Sequence, residues 1–158
     1  MREIINSFTG RYYFLSNFYK DADGYCVEIE FQAGKATCME DRDKILALTD
    51  PREAKKEGRK IELRRDWDQV KLSLMRILLV KKFSSTVMKH LLLSTSSSQL
   101  IEGNWWHDVF WGVCDGSGRT KKCLSITTAD SSTAIKAGHV PYGENHLGIL
   151  LMEVRKGL

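Results

Sequence analysis

The chain has 158 residues, 42% hydrophobic and 28% charged, with a formal net charge of +4. That length and balance fit one globular domain over residues 1–158 with a sizeable core, and exclude a disordered chain. No apolar run approaches the roughly twenty residues of a membrane helix, and Met1-Arg2-Glu3-Ile4-Ile5-Asn6 has no signal-peptide core, so the expectation is a cytoplasmic protein with no membrane partner.

Arg11-Tyr12-Tyr13-Phe14-Leu15 is rich in strand formers and precedes the turn signal Ser16-Asn17, which predicts a short strand and a loop. Asp21-Ala22-Asp23-Gly24 reads as a turn. Val27-Glu28-Ile29-Glu30 alternates apolar with acidic before the pattern shifts to helix near Phe31, which sets Glu28 at an element boundary. From Phe31 a helical stripe continues through Cys38, Ile45 and Leu48, with Gly34 as a weak point. Asp50-Pro51 supplies a cap and a first-turn proline for a short basic helix ending near Gly58.

Asp66 is placed to cap a strong helix whose buried side is marked by Trp67, Val70, Leu74, Ile77 and Leu78. Ser84 or Ser85 caps the next, in which Val87, Met88, Leu91 and Leu92 pair at i, i+4. Ser94 to Ser98 ends it, and Gln99 to Gly103 is a short possible strand. A loop follows with Trp105, Trp106, Phe110 and Trp111, aromatics that either plug a core or stack a ligand. Residues 117–142 are rich in Ser, Thr, Gly and Lys without periodicity, the composition of an inserted loop: a lid, a partner-binding insertion or a mobile segment. Gly143 and Gly148 bracket the polar turn Glu144-Asn145-His146, where backbone can approach a ligand. Leu147, Leu150, Leu151 and Val154 then fall at i, i+3, i+4 and i+7, one face of a core helix.

Cys26, Cys38, Cys114 and Cys123 form no C-x-x-C pair, and His90, His107, His139 and His146 lack metal-ligand spacing, so free thiols and no metal are expected. Basic residues concentrate between 52 and 82, among them Lys55, Lys56, Arg59 and Arg65; such a run is a solvated helical face, or what a phosphate-bearing ligand would want nearby. No Walker loop, G-x-S-x-G elbow or complete G-x-G-x-x-G is present. What remains is a scattered set at element ends: Glu28, Lys35, Arg65, Asp66, Trp67, Glu102, Asp108, Trp111 and Asn145. Carboxylates with an aromatic wall and a cation suit cleavage of a glycosidic bond, where negative charge supports an oxocarbenium-like transition state. The bland alternative makes Asp66 a cap, Trp67 core, Lys35 a snorkelling lysine and Glu102 a surface residue.

Taken in order, Phe14-Leu15-Ser16-Asn17-Phe18-Tyr19, Val27-Glu28, Phe31-Gln32-Ala33-Gly34-Lys35, Gly58-Arg59, Leu63-Arg64-Arg65-Asp66-Trp67, Leu100-Ile101-Glu102, Asp108-x-x-Trp111-Gly112 and Gly143 to Arg155 resemble the YbiA-like family, also called NADAR domains. The resemblance implies a small, mostly helical α+β domain that hydrolyses N-glycosidic bonds without a cofactor. The substrate it implies is a phosphoribosylamino-pyrimidine intermediate of riboflavin synthesis, or else ADP-ribosylated guanine in nucleic acid; a non-catalytic ADP-ribose or nucleotide binding module is the third reading. It casts Glu28, Glu102 and Asp108 as catalytic, Lys35 and Arg65 as holding phosphate or ribose oxygens, Trp67 and Trp111 as a ligand wall, and Gly112 and Asn145 as ligand-binding. The family usually follows this glutamate with histidine where this chain has Ile29, and usually lacks the 117–142 insertion, whose Arg119, Lys121 and Lys122 are candidates for recruiting nucleic acid.

Overall fold

A computed structural model describes residues 3–115 and 142–158. The expected inserted loop, with Arg119, Lys121 and Lys122, lies outside the described residues except for Tyr142. The chain divides into two compact units, one of Thr9–Ser96 with Val154–Leu158 and the other of Met1–Phe8 with Ser97–Glu153. Among the described residues helices dominate, and the β-structure is confined to short pairs, as the α+β expectation requires. Among the described residues, no helix is long and apolar enough to cross a membrane.

In the unit holding Thr9–Ser96, Gly10–Leu15 is a 3₁₀ helix and not the expected strand. Gly10 enters it at φ 54°, and the bonds are local, Tyr12 N–H to the Thr9 carbonyl and Ser16 N–H to the Tyr13 carbonyl. Phe14 and Leu15 are both buried, which successive residues on opposite faces of an exposed strand would not achieve. Helix α1, Val27–Ala33, begins four residues before the expected shift at Phe31. Its early start depends on a distant carbonyl: Asn17 O accepts from Glu28 N–H at 3.0 Å and from the Cys26 thiol at 3.3 Å, capping the first turn.

The expected continuous stripe from Phe31 to Leu48 is broken, because Gly34 ends α1, where its bare backbone lies against the Leu74 side chain, and α2 is Met39–Leu46. Helix α3, Pro51–Glu57, has the expected Asp50 cap, whose carboxylate accepts from Arg52 N–H at 2.8 Å. Cys26, Ile29, Ala33, Ile45 and Ala54 form a core under α1, α2 and α3.

Helix α4, Trp67–Lys82, buries Met75, Leu78, Leu79 and Lys82 and leaves Ile77 64% exposed, so the stripe is rotated from the expected one. A lysine at the fourth core position hid the period; its ammonium is satisfied by the Ser16 carbonyl at 2.7 Å. Asp66 stands at the cap position but its carboxylate is taken by Arg64, at 2.6 and 2.9 Å, and caps nothing. Helix α5, Thr86–Ser94, is capped by Ser85 and buries Met88 and Leu92, while Val87 faces solvent.

In the other unit, β1 (Ile4–Ile5) pairs in parallel with β2 (Gln99–Leu100), and β3 (Gly103–Asn104) with β4 (Val113–Cys114). The expected strand from Gln99 to Gly103 is thus two short ones. Helix α6, His146–Lys156, buries Leu147, Leu150, Leu151 and Val154 as their spacing predicts.

Candidate active site

Glu28 lies in the first turn of α1 and is only 5% exposed. Its Oε1 accepts from Gln32 Nε2 at 2.7 Å, one helical turn along, and Gln32 is buried as well. The other end of that amide, Oε1, is buried against Gly58, where a Cβ would run into it. A glycine at 58 therefore lets α3 approach α1 closely enough to lock Gln32, and through it the carboxylate.

Lys35 follows the C-terminus of α1. Its carbonyl accepts from Arg64 N–H at 3.0 Å, and Ala36 bridges Leu63, which ties this turn to the segment leading into α4. Trp67, the first residue of α4, consequently packs on Phe31 with ring centroids 5.0 Å apart. The Lys35 ammonium stands 5.7 Å from the Trp67 centroid and 5.8 Å from that of Phe31. Burial pushes the Lys35 ammonium below the ordinary lysine range; Glu28 opposes that shift, and Lys55 and Arg59 reinforce it. Glu28, Lys35 and Trp67 are thus brought together, with Gln32 and Phe31 beside them. Arg65 is exposed.

The remaining predicted residues form a second cluster, in the unit of Ser97–Glu153. Asn145, at φ 55°, is buried, and its amide is spent on backbone: Oδ1 accepts from Glu102 N–H at 3.0 Å and Nδ2 donates to the Leu100 carbonyl at 2.9 Å. Asp108 Oδ1 accepts from Trp111 N–H at 2.9 Å, and its own backbone N–H and carbonyl both bond to the Asn104 side chain. Backbone N–H groups of Glu144, Asn145, His146 and Leu147 donate to the carbonyls of Val109, Gly112, Phe110 and Trp111. The N-terminus of α6 is therefore already occupied by its own loop.

Gly112 and Gly143 are needed for backbone meeting backbone: a Cβ at Gly112 would strike the Glu102 carbonyl, and one at Gly143 the Gly112 carbonyl. Gly148, expected to bracket a ligand turn, lies inside α6 against the Leu100 carbonyl. Trp111 stacks edge-on to Phe110 at 4.9 Å and faces His146 at 6.5 Å. Trp105 and Trp106 plug no core, being 60% and 48% exposed.

Sequence reasoning missed Gln32 as the partner of Glu28. The i, i+4 spacing of Glu28 and Gln32 was a usable signal; the approach of α3 was not, since only Gly58 marks it.

Comparison with known proteins agrees with the resemblance. Residues 6–158 match the NADAR domain family. N-glycosidase YbiA of Shigella boydii is 31% identical over 131 residues, which cover 81% of this chain and 66% of that protein. N-glycosidase Npun_R5314 of Nostoc punctiforme is 36% identical over 115 residues, covering 71% of this chain and 58% of that one. The NMR structure of the Escherichia coli protein YbiA is similar with a TM-score of 0.70 and 30% identity, over 99% of this chain and 86% of that one. The chain thus spans 58–66% of the length of the curated relatives it matches.

Proposed function

The chain belongs to the NADAR domain family, and we propose on that premise that it is a cofactor-independent hydrolase of N-glycosidic bonds, acting on a phosphoribosylamino-pyrimidine of the riboflavin-synthesis type. One observation carries the reading: a buried carboxylate, Glu28, held by Gln32 beside a cation and an aromatic face, Lys35 and Trp67. The N-glycosidase names of its relatives support the same chemistry.

In the proposed reaction the bond from ribose C1 to nitrogen breaks as a water oxygen bonds to C1. Positive charge grows on the ribose ring, and the Glu28 carboxylate stabilises it. The water's proton passes to that carboxylate and onward to the departing nitrogen, so Glu28 ends unchanged. Trp67 stacks the ligand and Lys35 faces its anionic end. Asn145, Asp108 and Gly112 act in this reading by fixing the loop of residues 100–112 and not by touching the ligand.

A second reading, removal of ADP-ribose from guanine in nucleic acid, is favoured by the exposed, mutually perpendicular Trp105 and Trp106, since bare tryptophan faces suit nucleobases. A release assay separates the readings. The protein is offered the phosphoribosylamino-pyrimidine and ADP-ribosylated guanine DNA in parallel, with Glu28→Gln as control. Glu28-dependent release from the first substrate is expected; release only from DNA selects the second reading. ADP-ribose binding without release from either would make the protein a binding module.

A further inference from the structure

The turn of Trp105, Trp106 and His107 is held firmly, although the core makes little use of its side chains. Asn104 closes it: the buried amide donates to the Asp108 carbonyl at 2.7 Å and accepts from Asp108 N–H at 3.0 Å. Behind the turn β3 pairs with β4, and Asp115 N–H donates to the Asn104 carbonyl at 2.9 Å. His107 sits at φ 69°, a left-handed conformation that a residue with a Cβ keeps only where its surroundings enforce it. Its Nδ1 lies 2.6 Å from the Tyr142 hydroxyl, which pins the imidazole, and Tyr142 is itself bridged to Cys114 through backbone.

This fixed turn presents Trp105 and Trp106 to solvent, with centroids 5.7 Å apart and ring planes at 82°, so the pair offers π-faces in two directions. The charge around it has one sign. The described residues of this unit carry the carboxylates of Glu3, Glu102, Asp108, Asp115, Glu144 and Glu153 and no lysine or arginine. Asp108, Asp115 and Glu144 belong to the frame of the turn: the first closes it, the second bonds to Asn104, and Glu144 N–H donates to the Val109 carbonyl at 2.8 Å. The Glu144 side chain is 62% exposed. Such a field draws cations to the indole faces and repels a phosphate backbone. A guanidinium both stacks flat on an indole and forks to a carboxylate, which an ammonium does not.

We propose that the Trp105-Trp106-His107 turn is a docking surface for an arginine-bearing polypeptide segment of a partner protein, whose guanidinium groups stack on the two indoles under the pull of Asp108, Asp115 and Glu144. The surface does not depend on the N-glycosidase reading, in which Trp105, Trp106 and His107 take no part. It gives the exposed tryptophans a partner of opposite charge, whereas nucleic acid would bring phosphates to carboxylates.

The test is titration of the isotopically labelled full chain with tetra-arginine amide, tetralysine amide and a single-stranded oligothymidylate, read at the indole N–H cross-peaks. It is repeated for Trp105→Ala, Trp106→Ala and the control Val87→Ala, an exposed apolar residue of the other unit. Tetra-arginine should shift the cross-peaks of Trp105 and Trp106 and bind the control as it binds the wild type. Each tryptophan variant should lose about threefold to thirtyfold in affinity, the range of one cation–π contact. Tetralysine should bind more weakly; binding equal to that of tetra-arginine would overturn guanidinium stacking as the basis of the surface. Unchanged affinity in both tryptophan variants, or no shift with tetra-arginine, overturns the docking surface altogether. Shifts caused by oligothymidylate and not by tetra-arginine overturn it in favour of a nucleobase platform. Self-association of the wild type that Trp105→Ala abolishes would make a second copy the occupant and overturn the separate partner.

Discussion

Gln32 donates its amide N–H to Glu28 Oε1 at 2.7 Å, and its carbonyl end is buried against Gly58 without a donor of its own. Turned end for end, the amide would set a carbonyl against a carboxylate. Gln32 is therefore a positioning residue for Glu28. Gln32→Met keeps length and volume but removes the donor, and should lower kcat by about tenfold to a hundredfold while KM changes little, as loss of an oriented reacting group does. A rise in KM at constant kcat would place Gln32 in ligand binding instead.

Gly58→Ala tests the same lock from the other side. The new Cβ would collide with Gln32 Oε1, so either α3 retreats or the amide leaves Glu28. Overpacking of this kind costs about 1–3 kcal/mol. Urea melts should show that loss, and turnover should fall with it; a variant as stable and active as the wild type would mean that the helices yield freely here.

Ile29 is 7% exposed and packs with Cys26, Ala33, Ile45 and Ala54, so in this chain the residue after the catalytic candidate is a core residue and not a proton carrier. Ile29→His should not raise turnover. It should destabilise the fold by about 1–3 kcal/mol from burying an imidazole among apolar side chains. The loss should deepen on acidification, because the unfolded state takes up the proton more readily than the buried ring. Thermal melts at several pH values would check both points.

Elements with a local cause were legible in the sequence: the Asp50-Pro51 start of α3, the Ser85 cap of α5 and the leucine face of α6 all rest on neighbours a turn away. Where a distant group intervenes, the reading failed. The Asn17 carbonyl lets α1 begin at Val27, Arg64 withdraws Asp66 from its cap, and the Ser16 carbonyl lets Lys82 occupy a core position on α4. The site follows the same division. Glu28, Lys35 and Trp67 were recognisable as residues, whereas the hold of Gln32 on Glu28 depends on a helix contact that a single glycine permits.

Asn145 offers an acceptor to Glu102 N–H and a donor to the Leu100 carbonyl, so Asn145→Asp keeps the first bond and turns the second into a repulsion between oxygens. Protonation would return a donor to that position. The introduced carboxyl should therefore have its affinity for a proton raised by folding, and the destabilisation, about 2–3 kcal/mol at neutral pH for a buried acceptor left facing a carbonyl, should shrink as pH falls. Equilibrium unfolding at pH 4 and pH 7 measures it. A penalty that does not depend on pH would show that the Nδ2 bond contributes little.

Lys35 feels opposing charges, the Glu28 carboxylate on one hand and the cations Lys55 and Arg59 on the other. Burial lowers its proton affinity, Glu28 raises it, and Lys55 and Arg59 lower it further. Between that depressed value and the ordinary lysine value, the unfolded chain holds the proton and the folded chain has lost it, so in this window the group's contribution to stability rises with pH. Phosphate binding has the opposite sign, since the phosphoryl group needs the charged ammonium. Affinity for ribose 5-phosphate should fall as pH rises through the depressed value, earlier than for an ordinary lysine, without a matching loss of folding stability from this residue. Removing one repelling cation by Arg59→Gln should shift the titration of Lys35 upward, which carbon chemical shifts at Cε follow directly, and Lys35→Arg should abolish the alkaline limb of binding. A Lys35 titration unmoved by Arg59→Gln would separate the two charges.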